Sequence, residues 1–194
     1  MGVLRLFWFS LPITTQAANP ASLEWRTVPS SDGVLTVGMP GEPEVESRDE
    51  QDSVGPTQVV KQRVGIDDNT ILFSLVERHY LDEDVQFDRG PFLDGTAEST
   101  LAQSKGELVG ESEVHRGDLV GKAISIEMPQ EYTVSMQFFL IGRSVYQLKV
   151  VTPNAMADSP IVRRFFESLE VDKSRIGTVG DRVSATYGEF SRAD

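Results

Sequence analysis

Two histidines, His79 and His115, are the only side chains here whose ordinary proton affinity suits transfer near neutral pH. A serine nucleophile would need one of them beside its hydroxyl, with a carboxylate orienting the ring. The Gly-x-Ser-x-Gly turn that presents such a serine in α/β-hydrolases does not occur in the chain. His79 follows a β-patterned run, between Arg78 and Tyr80, and His115 lies in a polar turn with Arg116 and Gly117. Both read as exposed or sheet-edge histidines, so no catalytic residue is assigned. A deep pocket in which either ring bonds both a hydroxyl and a carboxylate would overturn that reading.

Other groupings are weaker. Gly117-Asp118-Leu119-Val120-Gly121-Lys122-Ala123 has the outline of a phosphate loop. It is one residue short between the glycines, and alanine stands where the magnesium-binding hydroxyl belongs. A strand rather than a helix is expected after it, so no helix N-terminus would face a phosphate. Asp82, Glu83, Asp84 and Asp88 form the densest acidic cluster. Their spacing lacks the order of an EF-hand loop, and acids ahead of a helix suit its dipole. They read as a solvated loop, with Ca²⁺ binding as the alternative. Paired carboxylates for glycoside hydrolysis need two of the 30 acids to converge, and no pair is marked. Trp25, Tyr80, Tyr132 and Tyr146 could line a ligand cleft, but at alternating strand positions they read as core or cross-strand pairs. With no cysteine, the chain has no disulfide, thiol nucleophile, sulfur-bound zinc or lipidated cysteine. No cofactor and no metal ligand is assigned.

The whole-chain figures narrow the partners. Thirty acids against 18 bases give a net charge of -12, which repels phosphate backbones and anionic lipid. Nucleic acid is therefore not an expected partner. With 194 residues the chain suits one domain with its own core, and sets no oligomeric state. Leu4 to Ile13 is apolar apart from Arg5, but a helix of that length spans only about 15 Å, half a bilayer core. It is not a transmembrane span. A basic start, an apolar centre from Leu6 to Ile13 and Thr15-Gln16-Ala17 before a cut match a secretory signal. Residues 1–17 are thus expected to be a leader or an N-terminal arm, and the mature protein periplasmic or secreted.

Residues 22–172 are expected to fold, and 173–194 to form a flexible tail. Leu35, Val37 and Met39 share one face of a strand that Pro40-Gly41-Glu42-Pro43 ends. Residues 44–56 carry no apolar pattern and read as an exposed loop or frayed edge. Strands follow at Val59–Val64 and Ile71–Val76, joined by the turn residues Asp67-Asp68-Asn69. Leu93, Ala97 and Leu101, four apart, place a helix over Asp88–Ser104 that stops at Lys105 with Gly106 as its cap. Period-two alternation through Ile124–Met128, Tyr132–Leu140 and Tyr146–Val150 gives an antiparallel meander, with a type II′ hairpin at Gly142-Arg143. Ser159 and Pro160 open a second helix whose apolar stripe is Ile161, Val162, Phe165, Phe166 and Leu169.

The stretch Phe139-Leu140-Ile141-Gly142-Arg143-Ser144-Val145-Tyr146-Gln147-Leu148-Lys149-Val150, followed by Val162-Arg163-Arg164-Phe165-Phe166-Glu167-Ser168-Leu169, resembles a pattern of bacterial envelope proteins with the PsbP-like fold. Gly110 to Gly121 belongs to the same pattern, and Val37-Gly38-Met39-Pro40-Gly41-Glu42-Pro43 is similar to the first hairpin of those chains. The likeness runs from Trp25 to Val171, with Leu169 where the family prefers Phe. It implies an α+β fold, an antiparallel β-sheet sandwiched by helices (an α/β/α sandwich). Members of the fold include an extrinsic photosystem II subunit, a nuclear-import factor that binds a small GTPase, and bacterial lipoproteins. They share no catalytic set, and serve as docking bodies for other macromolecules. The resemblance therefore implies a non-catalytic binding or accessory protein with a protein partner. A carrier or sensor of a small ligand or Ca²⁺ is the alternative, and a hydrolase comes third.

Overall fold

The computed structural model describes residues 23–176. The expected leader and most of the expected tail lie outside the described residues. In chain order the elements are β1 (Arg26–Pro29), β2 (Leu35–Met39), β3 (Glu44–Gln51), β4 (Pro56–Ile66), β5 (Ile71–Tyr80), α1 (Arg89–Ser104), β6 (Glu107–Arg116), β7 (Leu119–Met128), β8 (Tyr132–Ile141), β9 (Ser144–Pro153), α2 (Pro160–Glu167) and β10 (Glu170–Val171). Seven strands form one antiparallel sheet in the order β3-β4-β5-β9-β8-β7-β6, and β1-β2-β10 form a smaller one. Helix α1 covers one face of the large sheet, while α2 and the small sheet cover the other. This is the expected α+β sandwich.

The C-terminal half of β8 is apolar on both faces because both are covered there. Met136, Phe138 and Leu140 pack on the α1 side, and Phe139 and Ile141 pack towards α2. At α2 the predicted stripe is buried throughout, with Phe165 edge-on to Phe73 at 5.3 Å. The Gly142-Arg143 hairpin closes between Ile141 and Ser144 with Gly142 at φ 57°, as its sequence demands.

Several details depart from expectation. Residues 44–51 form a strand, β3, paired over its whole length with β4. Strand β6 takes in His115, which reads from sequence as part of a polar turn. Both strands lie at sheet edges; β3 is exposed along nearly its whole length and β6 touches the cores only through Leu108 and Val114, so little apolar alternation is written into them. Their charges, and the bulge at Leu108/Gly110, blunt the edges against pairing with other chains. Lys105 itself takes the left-handed position after α1, at φ 59°, instead of Gly106. Gly106 is needed for close approach, since a Cβ there would sit 2.5 Å from Ile126 Cγ2 and 2.6 Å from the Glu127 carbonyl oxygen. Ser159 stands at the N-cap of α2, but its hydroxyl makes no cap bond.

Gly90 and Gly95 lie inside α1, and a Cβ at either would have no neighbouring atom within 4 Å. Each therefore contributes only backbone freedom to the unfolded chain. Gly95→Ala is expected to raise stability by about 0.8 kcal/mol, read as a higher urea midpoint with an unchanged slope.

Candidate functional site

Strand β5 begins with Phe73 and Leu75 facing the α2 core, and period two then turns Glu77 and His79 to that same side. A carboxylate thus enters a core position. Glu77 is 0% exposed and His79 5% exposed, which corrects the expectation of an exposed or edge histidine. The turn from Ser30 to Gly33 comes down over them from the small sheet. It is fixed by Asp32 Oδ1, which accepts from Ser30 Oγ at 2.7 Å and from the Val34 amide at 3.0 Å.

The Glu77 carboxylate accepts the Ser31 amide at 3.0 and 2.8 Å, the Ser31 hydroxyl at 2.6 Å and Gln62 Nε2 at 3.3 Å. His79 Nε2 lies 3.3 Å from Glu77 Oε2 and 3.1 Å from Ser31 Oγ, and Nδ1 lies 2.8 Å from Ser144 Oγ. Asp32 Oδ2 accepts the Tyr146 hydroxyl. Burial, and then the Asp32 carboxylate, push that phenol far above its ordinary range, so Tyr146 remains a neutral donor.

Serine, histidine and carboxylate therefore meet, but in the wrong order for acyl transfer. A triad needs serine on one ring nitrogen and carboxylate on the other. Here Ser31 and Glu77 share Nε2, and the shortest bond from Ser31 Oγ runs to the carboxylate. Asp32, on the Nδ1 side, stands 3.9 Å away. The Ser31 amide, which would be an oxyanion donor, is already bonded to Glu77. His79 lines neither of the two surface clefts. The ring thus has both a hydroxyl and a carboxylate as partners, but among the described residues it faces neither of these clefts. This is a network that satisfies a buried carboxylate, with the exposed Ser31 as its solvent-side cap.

The other sequence candidates are dispersed. His115 is exposed on β6, 2.8 Å from Glu113. Gly117–Ala123 is the β6–β7 hairpin and the start of β7, so no helix follows. Asp82, Glu83, Asp84 and Asp88 lie on the loop between β5 and α1, with Asp82 Oδ1 accepting the Asp84 amide at 3.0 Å. Among the described residues no group of three or more His, Asp or Glu side chains is gathered to hold a metal, and no helix is long and apolar enough to cross a membrane. Trp25 packs on Phe73 and beneath the Arg164 guanidinium, 4.3 Å from its ring centre, and Tyr132 is half-buried.

Tyr80 has a different setting. It lines an open cleft of about 840 Å³ on the α1 side of the sheet. The floor is made by β5, β9, β8 and β7, one wall by α1, and part of the rim by residues 52–54. Burial, with Asp52 beside it, pushes the Tyr80 phenol up to about 12. Lys149 also opens into the cleft, half-buried, with no carboxylate partner among the described residues. Burial, and secondarily Lys61, lower its pKa.

A depressed lysine is penalised while charged in the folded state, and the penalty fades as pH rises towards the ordinary lysine value of about 10.4. Lys149→Met is therefore expected to gain about 1 kcal/mol at neutral pH, and the wild type to close that difference at alkaline pH. The other charged groups on this cleft, Arg78 and Asp52, are paired together at 3.3 Å and are unchanged in sequence by the substitution. Urea unfolding of the two proteins side by side, near pH 7 and near pH 10, measures the difference.

No protein-family model and no curated protein matches the chain. Among solved structures, the solution structure of cyanobacterial PsbP (CyanoP) from Synechocystis sp. PCC 6803 is similar, with a TM-score of 0.51 at 8% identity, over 76% of this chain and 92% of that one. The fold is PsbP-like. At that identity the likeness concerns the fold alone.

Proposed function

We propose that the chain is a non-catalytic accessory protein, working outside the cytoplasm, that binds a protein partner through its 22–172 domain after the leader at 1–17 has directed export. The observation that carries the docking surface is the bare half of the large sheet. Helix α1 packs on β7 and β8 and reaches β5 at Tyr80, leaving β3, β4 and most of β5 on that side without a covering helix among the described residues. Arg48, Lys61, Arg63 and Arg78 point from this face among Glu44, Glu46 and Glu50, a dense field of both charges. Ion pairs of Arg63 with Glu44, Arg48 with Glu50, and Arg78 with Glu50 and Asp52 hold the long side chains in place. Such pairs add little stability at a surface, but a pre-ordered polar face suits a partner of matching charge.

The test is a photo-crosslinking residue at position 61 of the full chain in its own cells, with position 131, on the β7–β8 turn, as control. A discrete protein adduct from 61 alone supports the reading. Adducts equal at both positions, or none at 61, count against it. Export is checked separately, since removal of residues 1–17 should confine the protein to the cytoplasm. A second reading, a carrier or sensor of a small ligand, is favoured by the cleft itself, whose volume falls in the range of small-molecule sites.

A further inference from the structure

We propose that the cleft beneath α1 binds an amphipathic organic carboxylate, its apolar body on the sheet floor and its head against Lys149. The inference rests on the second reading above, that this cleft receives a small ligand, and supplies the chemical class of that ligand.

The floor is apolar along β7 and β8, where Ile126, Met128, Val134, Met136 and Phe138 face the opening. Two methionines among these five give a soft surface that adapts to flexible chains. Lys149 pairs in register with Met136 across the β8–β9 ladder, so the cation borders the apolar strip directly. The α1 wall is polar but supplies few donors. Thr96 Oγ1 donates to the Phe92 carbonyl at 2.8 Å, Thr100 Oγ1 to the Thr96 carbonyl at 2.8 Å, and Ser104 Oγ to the Leu101 carbonyl at 2.7 Å. Gln103 Nε2 donates to Ser99 Oγ at 3.0 Å, and Gln147 Nε2 is directed at Met136 Sδ, 2.9 Å away. Arg78 is held by Glu50 and Asp52. Lys149 is thus the cleft's uncommitted cation, half out of water and without an anion among the described residues. A carboxylate placed there forms a charge-assisted bond where water screens it less than at an open surface. It also offsets the cost of holding the amine in this setting.

The experiment is displacement of a dansyl-labelled undecanoate from the full-length protein by decanoate, decanol and decyltrimethylammonium. Single-site saturable binding is expected, with decanoate stronger than the neutral and cationic analogues by about tenfold or more. Lys149→Met should abolish that preference while leaving decanol unchanged, and Lys149→Arg should keep it. Gly95→Leu is a second variant. It adds a side chain at a helical glycine on the cleft with open space around it, so it should fold at least as well as wild type and block all three ligands. Saturable binding with equal affinity for decanoate and decanol, or unaltered by Lys149→Met, overturns the role of Lys149 and leaves the cleft as a ligand site. Failure of every probe to saturate, or binding insensitive to Gly95→Leu, overturns the cleft itself.

Discussion

Glu77→Leu is expected to destabilise the protein by about 4 kcal/mol, and adding His79→Phe to recover a large part of that loss. The single substitution removes the acceptor for the Ser31 amide, the Ser31 hydroxyl and Gln62, and leaves His79 in a core with no carboxylate on Nε2. Water can reach the exposed Ser31, and Gln62 keeps the Pro29 carbonyl, so most of the cost falls on buried His79, which loses a partner inside the core. The double substitution removes the second buried polar group as well, placing a ring beside Tyr146, which His79 already meets edge-on at 6.1 Å. A double-mutant cycle in urea measures the coupling. Additive losses would mean that Glu77 and His79 do not depend on each other, contrary to the geometry.

The second large effect lies on β7. Gly121 pairs with Phe139, and a Cβ at Gly121 would stand 2.4 Å from the Phe138 carbonyl oxygen and 2.5 Å from the Phe139 ring. The first of these is backbone and cannot rotate away. Gly121→Ala is therefore expected to cost about 3 kcal/mol through overpacking, whereas Gly110→Ala, with 3.6 Å to Ser125 Cβ, should cost far less. Thermal melts of the two variants in parallel test the contrast. Equal melting temperatures would show that the β7–β8 ladder yields at Gly121 despite the close carbonyl.

These two sites also show how the sequence and the structure relate. The meander through β7, β8 and β9, the α2 stripe and both helices are legible because one period repeats over many residues that face a core. The edge strands are not, because Glu44–Gln51 is almost wholly in solvent and Glu107–Arg116 meets the cores only at Leu108 and Val114, too few positions to set a period. His79 is hard to place for a related reason. The β-pattern visible through Ile71–Val76 stops short of Glu77, although the strand continues to Tyr80. Phe73, Leu75, Glu77 and His79 keep period two, and a charge at the third of these core-facing positions is the one local signal of the network. Its partner Ser31 lies 46 positions earlier, in what reads as an ordinary turn, and long-range pairing of that kind leaves no local pattern. Lys149 is similar. As a polar residue between Leu148 and Val150 it reads as solvent-facing, and only the packing of α1 across β7 and β8 makes its surroundings a cleft.

The proposed non-catalytic role requires Ser31 to be a structural donor to Glu77 rather than a nucleophile served by His79. Treating the full-length protein with a fluorophosphonate probe and measuring intact mass tests this directly, since the probe labels activated serines. The expected result is an unmodified mass under conditions that fully label a control serine hydrolase. Stoichiometric labelling mapped to Ser31, and lost in His79→Gln, would contradict it.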